Sequence, residues 1–206
     1  MKLNRWFAAT SVAALTLAVV AARGLAQDAA SSGGDKPTYL GDKACQKCHF
    51  QEHKSWKKTG LYKAMETLKP TDEAANKALF DKKKAANLDP AKDYSTDAKC
   101  VKCHTTGYGV GGYPAKVETD DEKKAAETFG RVGCESCHGP GSLYVKFKTD
   151  ELGKNKDAKF TKEQLTPLGL VVPDEKTCKT CHNDESPTKA EFKYDEEKVK
   201  THPTKK

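Results

Sequence analysis

Apolar residues crowd at the start of this chain and thin out afterwards. Residues 7–22 form a nearly unbroken apolar run, with Lys2 and Arg5 before it and Arg23 after it. No later run is apolar enough to span a bilayer, which excludes a multi-pass membrane protein. The basic start, the apolar run and the small residues Gly24 and Ala26 before Gln27 have the form of a cleaved secretory signal over residues 1–26. An uncleaved membrane anchor is the alternative. Residues 27–37, rich in Ala, Ser, Gly and Asp, read as a flexible linker, and residues 38–206 as one domain.

Within that domain the alternating pattern of a half-buried strand is nearly absent, while helical signals are several and short. Asp42 is placed to cap a helix running to Leu68, with Pro70 as its stop. Thr71 is placed to cap residues 72–86, ahead of Pro90. Residues 119–129 form a third candidate, with Gly130 as its C-cap. Pro173 and Asp174 open a further turn of helix, and residues 195–201 make a last one. Glycines at 107–112 and 139–141 mark loops. The expected fold is mainly α, with short helices, long loops and little or no β structure.

Composition makes the core problem sharper. Of 206 residues, 36% are hydrophobic and 32% charged, with a mean hydropathy of −0.77. That is lean for a core built from side chains alone. The net charge of +7 falls to +4 once Lys2, Arg5 and Arg23 leave with the signal. Arg131 is then the sole arginine, so the guanidinium forks that read bases or grip phosphates are nearly lacking. A nucleic-acid role is disfavoured. The lysine run at 82–84 reads as a solvated helix face, the alternative being a docking patch for an acidic redox partner.

The eight cysteines are all accounted for by one pattern, C-x-x-C-H. It occurs at Cys45, Cys48 and His49, then at Cys100, Cys103 and His104. The third copy is Cys134, Cys137 and His138, and the fourth is Cys178, Cys181 and His182. This is the attachment motif of c-type haem. Two thiols add to the vinyl groups of one haem, and the following histidine binds the iron from below. A disulfide framework would not need a histidine after every second cysteine. Zinc needs four ligands per site and does not explain the repeated adjacent histidine. A thioredoxin-like motif would occur once. Four covalently bound c-type haems are expected, attached outside the cytoplasmic membrane, which agrees with a signal for export. Four macrocycles also supply much of the missing core. Their propionates give the many lysines counterions. The motif starts lie 55, 34 and 44 residues apart, too irregular for a solenoid. Trp56 is expected to pack in the core, against a haem edge.

Longer strings carry a resemblance. KAMETLKP at 63–70, LDPAKDY at 88–94 and GCESCHGPG at 133–141 resemble the tetrahaem cytochrome c-554 family of ammonia-oxidising bacteria. The similarity runs in order from about Cys45 to His202. CHTTGYG at 103–109 and CHNDESP at 181–187 also resemble multihaem cytochromes of metal-reducing bacteria. The resemblance implies a mainly helical protein with haems in close pairs, passing electrons in the periplasm. It implies bis-histidine ligation at three haems. The second haem then lacks a distal ligand and reacts with nitric oxide. In that family the electron donor is hydroxylamine oxidoreductase.

The histidine supply limits what this chain can do. It has six histidines, four of them proximal: His49, His104, His138 and His182. Only His53 and His202 remain, so four bis-histidine irons cannot form within one chain. By resemblance His202 matches the distal ligand of the fourth haem. His53 lies four residues after His49 and cannot reach the opposite face of the same haem. It either serves a neighbouring haem or is a surface or propionate-bonding residue. The family's distal histidine for the third haem falls at Leu61, and that for the first falls near Lys148. Met65, one helical turn from Leu61, is a candidate thioether ligand that would raise the potential, or else a core residue. Lys148 ligates only if deprotonated.

The expected function is a periplasmic tetrahaem electron carrier working between redox partner proteins. No catalytic residue is assigned, and nothing in the chain resembles a hydrolytic or nucleotide site. The alternative is a protein that binds or reduces nitric oxide, nitrite or hydroxylamine at an open iron, first of all the His104 haem. A third reading is a subunit whose missing ligands come from a neighbour.

Overall fold

The distribution of apolar positions produces a chain of short helices, each braced by polar contacts. The structure is a computed structural model and describes residues 35–188 and 191–203. The signal-like run and most of the linker lie outside the described residues. The helices are α1 Asp42–Gln46, α2 Phe50–Trp56, α3 Lys77–Ala85, α4 Ala98–His104 and α5 Asp120–Phe129. After them come α6 Cys134–His138, α7 Ser142–Lys154, α8 Lys162–Leu165, α9 Glu175–Lys179 and α10 Tyr194–Glu197. Tighter 3₁₀ turns cover Ala64–Leu68, Thr166–Leu168 and Lys198–Lys200. There is no strand among the described residues, in agreement with the expected mainly α fold.

Capping decides where these helices start. At α5, Thr119 accepts the Glu122 amide and Glu122 reaches back to the Thr119 amide, so the helix begins and ends where the sequence indicates. At α9, Asp174 plays the same part with Thr177. The helix expected from Asp42 to Leu68 is instead broken into α1, α2 and the Ala64–Leu68 turn. Gly41, at φ 84°, is the residue at the cap of α1, and the Asp42 carboxylate is used elsewhere. The helix expected from residue 72 starts at Lys77. Asp72 spends its carboxylate on the amides of Ala74 and Ala75, an Asx turn that competes with the helix. Asn76 then caps α3 through the Leu79 amide. The longest described helix, α7 with 13 residues, was not expected from the sequence. It alternates charged and apolar residues without a clean apolar stripe, so helical periodicity does not mark it.

The side-chain core is small. Leu68, Tyr94 and Val101 form one buried cluster, with Met65, Leu88 and Cys100 packed against it. Trp56 is buried as expected, its indole edge-on to Tyr62 at 5.0 Å and its Nε1–H donating to the Val132 carbonyl at 3.0 Å. Lys83 departs from the solvated face expected for residues 82–84. It is buried, and its ammonium donates to the Lys69 carbonyl across the Tyr94 ring. A lysine buries its aliphatic stem this way only when its head finds a fixed acceptor.

Candidate haem-binding centre

Each C-x-x-C-H copy rides on one turn of helix. Cys100, Cys103 and His104 lie within α4, started by the Asp97 carboxylate on the Lys99 amide at 2.9 Å. Cys134, Cys137 and His138 are within α6. Cys45 sits in α1 and Cys178 in α9, and their partners continue the turn. The His49 amide bonds the Cys45 carbonyl at 3.0 Å, and the His182 amide bonds the Cys178 carbonyl at 3.0 Å. A helical i to i−4 bond sets the histidine on the same side as the cysteines. All eight cysteines are free thiols, as thioether formation to a vinyl group requires.

The four motifs are neighbours in space. The neighbouring Cys134 thiol, with burial, pushes Cys45 well above the usual thiol range. Burial, aided by Cys181, pushes Cys103 up to about 11. Burial, aided by Cys178 and Cys181, pushes Cys137 up to about 11 as well. The third motif thus lies near both the first and the fourth, and the fourth near the second.

Two of the proximal histidines are prepared for iron. His104 is close to the Ala64 carbonyl, 2.7 Å from Nδ1, with Thr67 Oγ1 at 3.4 Å. Nδ1–H donates to that carbonyl, which leaves the Nε2 lone pair for a metal. Burial holds His104 below the ordinary imidazole value, and Lys82 pushes in the same direction. His138 is held low for the same principal reason, against an opposing pull from the Val171 backbone. Neutral, oriented imidazoles with one free nitrogen fit a haem iron.

The remaining candidates scatter. His53 is buried, with Nε2 2.8 Å from Asp42 Oδ2. Arg131 approaches the other Asp42 oxygen at 3.9 Å. Met65 packs against the Leu68, Tyr94 and Val101 cluster, beside the second motif rather than the third. Leu61 does border the third motif, its carbonyl accepting the Val132 amide at 3.1 Å. The Lys148 ammonium sits over the Phe160 ring, 5.6 Å from its centre. The His182 ring stacks on Phe192, centroids 4.5 Å apart. The His202 ring lies 6.5 Å from that of His138, with 24° between planes.

Sequence reasoning missed the residues that hold the motifs together. Glu135, between the third pair of cysteines, is buried and accepts the amides of Leu40, Gly41 and Gly141. Thr106 donates to the Arg131 carbonyl at 2.8 Å and accepts the Gly133 amide at 2.9 Å. The C-x-x-C-H pattern fixes neither residue, and their only signal is that they fall within the strings CHTTGYG and GCESCHGPG. Lys102 and Glu185 pair across the second and fourth motifs.

Comparison with known proteins agrees with this arrangement. The family described as "Cytochrome c554 and c-prime" matches residues 44–139. Cytochrome c-554 of Nitrosomonas europaea is 38% identical over 155 residues, which cover 74% of this chain. The match spans 60% of the length of that relative. The solved structure of the reduced state of cytochrome c554 from Nitrosomonas europaea superposes with a TM-score of 0.59 at 36% identity. That superposition covers 75% of this chain and 70% of the other. With four C-x-x-C-H motifs, each on a turn of helix, and this likeness over most of its length, the chain belongs to the cytochrome c-554 family of multihaem c-type cytochromes.

Proposed function

We propose that this chain is a periplasmic tetrahaem electron carrier that passes electrons between redox partner proteins. Each haem is joined through the two cysteines of one motif and held by the histidine that follows: His49, His104, His138 or His182. When bound, the haem supplies a one-electron iron couple whose potential follows its axial ligands and burial.

The observation that carries this reading is the contact between motifs. Cys45 lies beside Cys134 and Cys103 beside Cys181, and Cys137 is within electrostatic reach of Cys178 and Cys181. Groups anchored on thiols this close lie side by side, in the order first, third, fourth, second. Such a row supports electron transfer from one end to the other. The protein's task is then positional. α1 and α6 are locked together through Glu135 and Gly41, and the Lys102–Glu185 pair ties the second motif to the fourth. Surface lysines offset the propionate charge. Export through the N-terminal signal is part of the same proposal. No described helix is long and apolar enough to cross a membrane.

A second reading keeps one specific observation in its favour. His53 has Nε2 committed to Asp42, so histidines fall short of the distal positions of four irons. An open iron is a site for nitric oxide, nitrite or hydroxylamine. Low-temperature EPR of the oxidised, matured protein separates the two. Four low-spin irons support the carrier alone. A high-spin iron that nitric oxide converts supports the ligand-binding reading.

A further inference from the structure

Positive charge is unevenly spread along this chain. Residues 42–63 carry six lysines against two carboxylates, a net of +4. That equals the net charge of everything after residue 26, so the remainder balances to zero. All six lysines are exposed. Elsewhere surface lysines are neutralised at helical spacing. Lys77 pairs with Glu73 and Asp81, Lys146 with Asp150, and Lys179 with Glu175. None of the six has a carboxylate within 4 Å among the described residues.

Three of the six, Lys43, Lys54 and Lys57, line a cavity of about 380 Å³ beside α1 and α2, together with Arg131. The carboxylate there, Asp42, already has His53 at 2.8 Å and Arg131 at 3.9 Å. The Lys57 ammonium and the Arg131 guanidinium lie over the Tyr62 ring, 5.6 and 5.2 Å from its centre. Arg131 spends Nη2 on the Glu127 carbonyl at 2.6 Å, which holds its guanidinium in place, with Nη1 on the Asp42 side. The cavity borders two haem motifs. Asp42 stands three residues before Cys45, and Arg131 three before Cys134. Neither Cys45, Cys48 nor His49 lines it, so it is distinct from the attachment points of the first haem.

We propose that this cavity and the lysines around it form a docking surface for an electronegative redox partner protein, with a partner carboxylate seated among Lys43, Lys54, Lys57 and Arg131. This rests on the carrier reading above and adds the place and the chemistry of the partner. Charge sets the class of partner. A concentrated positive field draws an acidic protein surface in from solution and orients it. A guanidinium and ammonium groups then make charge-assisted hydrogen bonds to its carboxylates. Position sets the purpose. The first motif stands at one end of the row of haems, so a partner seated beside it exchanges electrons with that end.

The test uses the full holoprotein and, as probe, an acidic flavodoxin in its hydroquinone form. The anionic hydroquinone loses one electron to become the neutral semiquinone, and one ferric haem iron becomes ferrous. Haem content by pyridine haemochrome comes first. Fewer than four haems, or no iron reduced by the flavodoxin, ends the carrier reading and the inference with it. With four haems and reduction observed, the second-order rate constant of the unaltered protein is expected to fall as salt rises. A rate independent of salt overturns the docking surface alone. K54E/K57E is expected to slow this step about tenfold at low salt and to flatten its salt dependence, with haem content kept. Lys43→Glu approaches the same surface from α1 and is expected to slow it about threefold. K54R/K57R is expected to stay within about twofold of the parent, as is K156E/K159E, which makes the same change in net charge away from the cavity. Equal losses in K54E/K57E and K156E/K159E overturn the inference, because net charge alone then sets the rate. Phosphatidylglycerol vesicles give a second arm. Vesicle binding that K54E/K57E abolishes while the flavodoxin rate holds assigns the surface to a membrane and overturns the inference.

Discussion

The Glu135 carboxylate accepts the Gly41 amide at 2.8 Å, joining the interior of the third haem motif to the cap of the helix that carries the first. The same carboxylate takes the Leu40 amide at 3.0 Å and the Gly141 amide at 2.7 Å. It is 3% exposed. Glu135→Ala leaves three amides without their acceptor, each costing about 1–3 kcal/mol, so a loss of roughly 3–5 kcal/mol is expected. Glu135→Gln keeps one accepting oxygen and is expected to lose about half as much. Guanidinium melts of the two variants check this order, and equal stability of Glu135→Ala and the parent would refute it.

His53 is expected to be structural. Its Nε2 sits 2.8 Å from Asp42 Oδ2 in a pocket where both side chains are about nine-tenths buried. His53→Gln is expected to cost about 2 kcal/mol, because the buried Asp42 carboxylate loses its close hydrogen-bond partner and keeps Arg131 at 3.9 Å. The EPR spin inventory is expected to stay as in the parent. A new high-spin iron would show instead that His53 binds metal.

Met65 is expected to contribute packing. Its side chain lies against Leu68, Tyr94 and Val101. A thioether ligand raises the potential of its haem, so losing one moves a midpoint downward. Met65→Leu conserves volume and is expected to leave the midpoint potentials in place, at a stability cost below about 1.5 kcal/mol. Spectroelectrochemical titration checks this, and a fall in one potential would restore Met65 as a ligand.

Stability is expected to drop on mild acidification. Burial lowers the pKa of both His104 and His138 in the folded chain. Between the ordinary imidazole value of about 6.5 and the lower folded values, the unfolded chain binds more protons. Their contribution is therefore complete above about pH 6.5, is lost as pH falls below it, and levels off once the folded imidazoles also protonate. Iron ligation acts in the same direction, since the ligating nitrogen must be unprotonated. Circular dichroism melts at pH 7.5, 6.5 and 5.5 are expected to show nearly equal Tm values at the first two and a lower one at the third. A constant Tm through pH 5.5 would count against it.

Some elements were legible because their cause is local. Thr119 and Glu122 form their capping box with a reach of three residues, and Asp174 and Thr177 do the same. The start of α3 has an equally local cause that points two ways. Asp72 can cap a helix or close an Asx turn, and here it closes the turn. α7 was invisible because its helicity depends on what it packs against rather than on an apolar stripe of its own. The sequence marks Lys83 as solvated because a lysine is ordinarily exposed. Only the Lys69 carbonyl, fourteen residues away, gives its ammonium a place inside.

Haem attachment is written in the linear chain, because two thiols and a histidine within five residues act as one unit on one turn of helix. So are the lean core that the haems complete and the shortage of histidines for four irons. The pairing of motifs is not written there. Cys45 meets Cys134, and His138 meets His202, only after the intervening helices have folded back. A distal ligand can come from any distance along the chain, so its partner is a matter of three-dimensional reach. The tertiary structure therefore decided which motifs are neighbours, the commitment of His53 to Asp42, and the place of His202 beside His138.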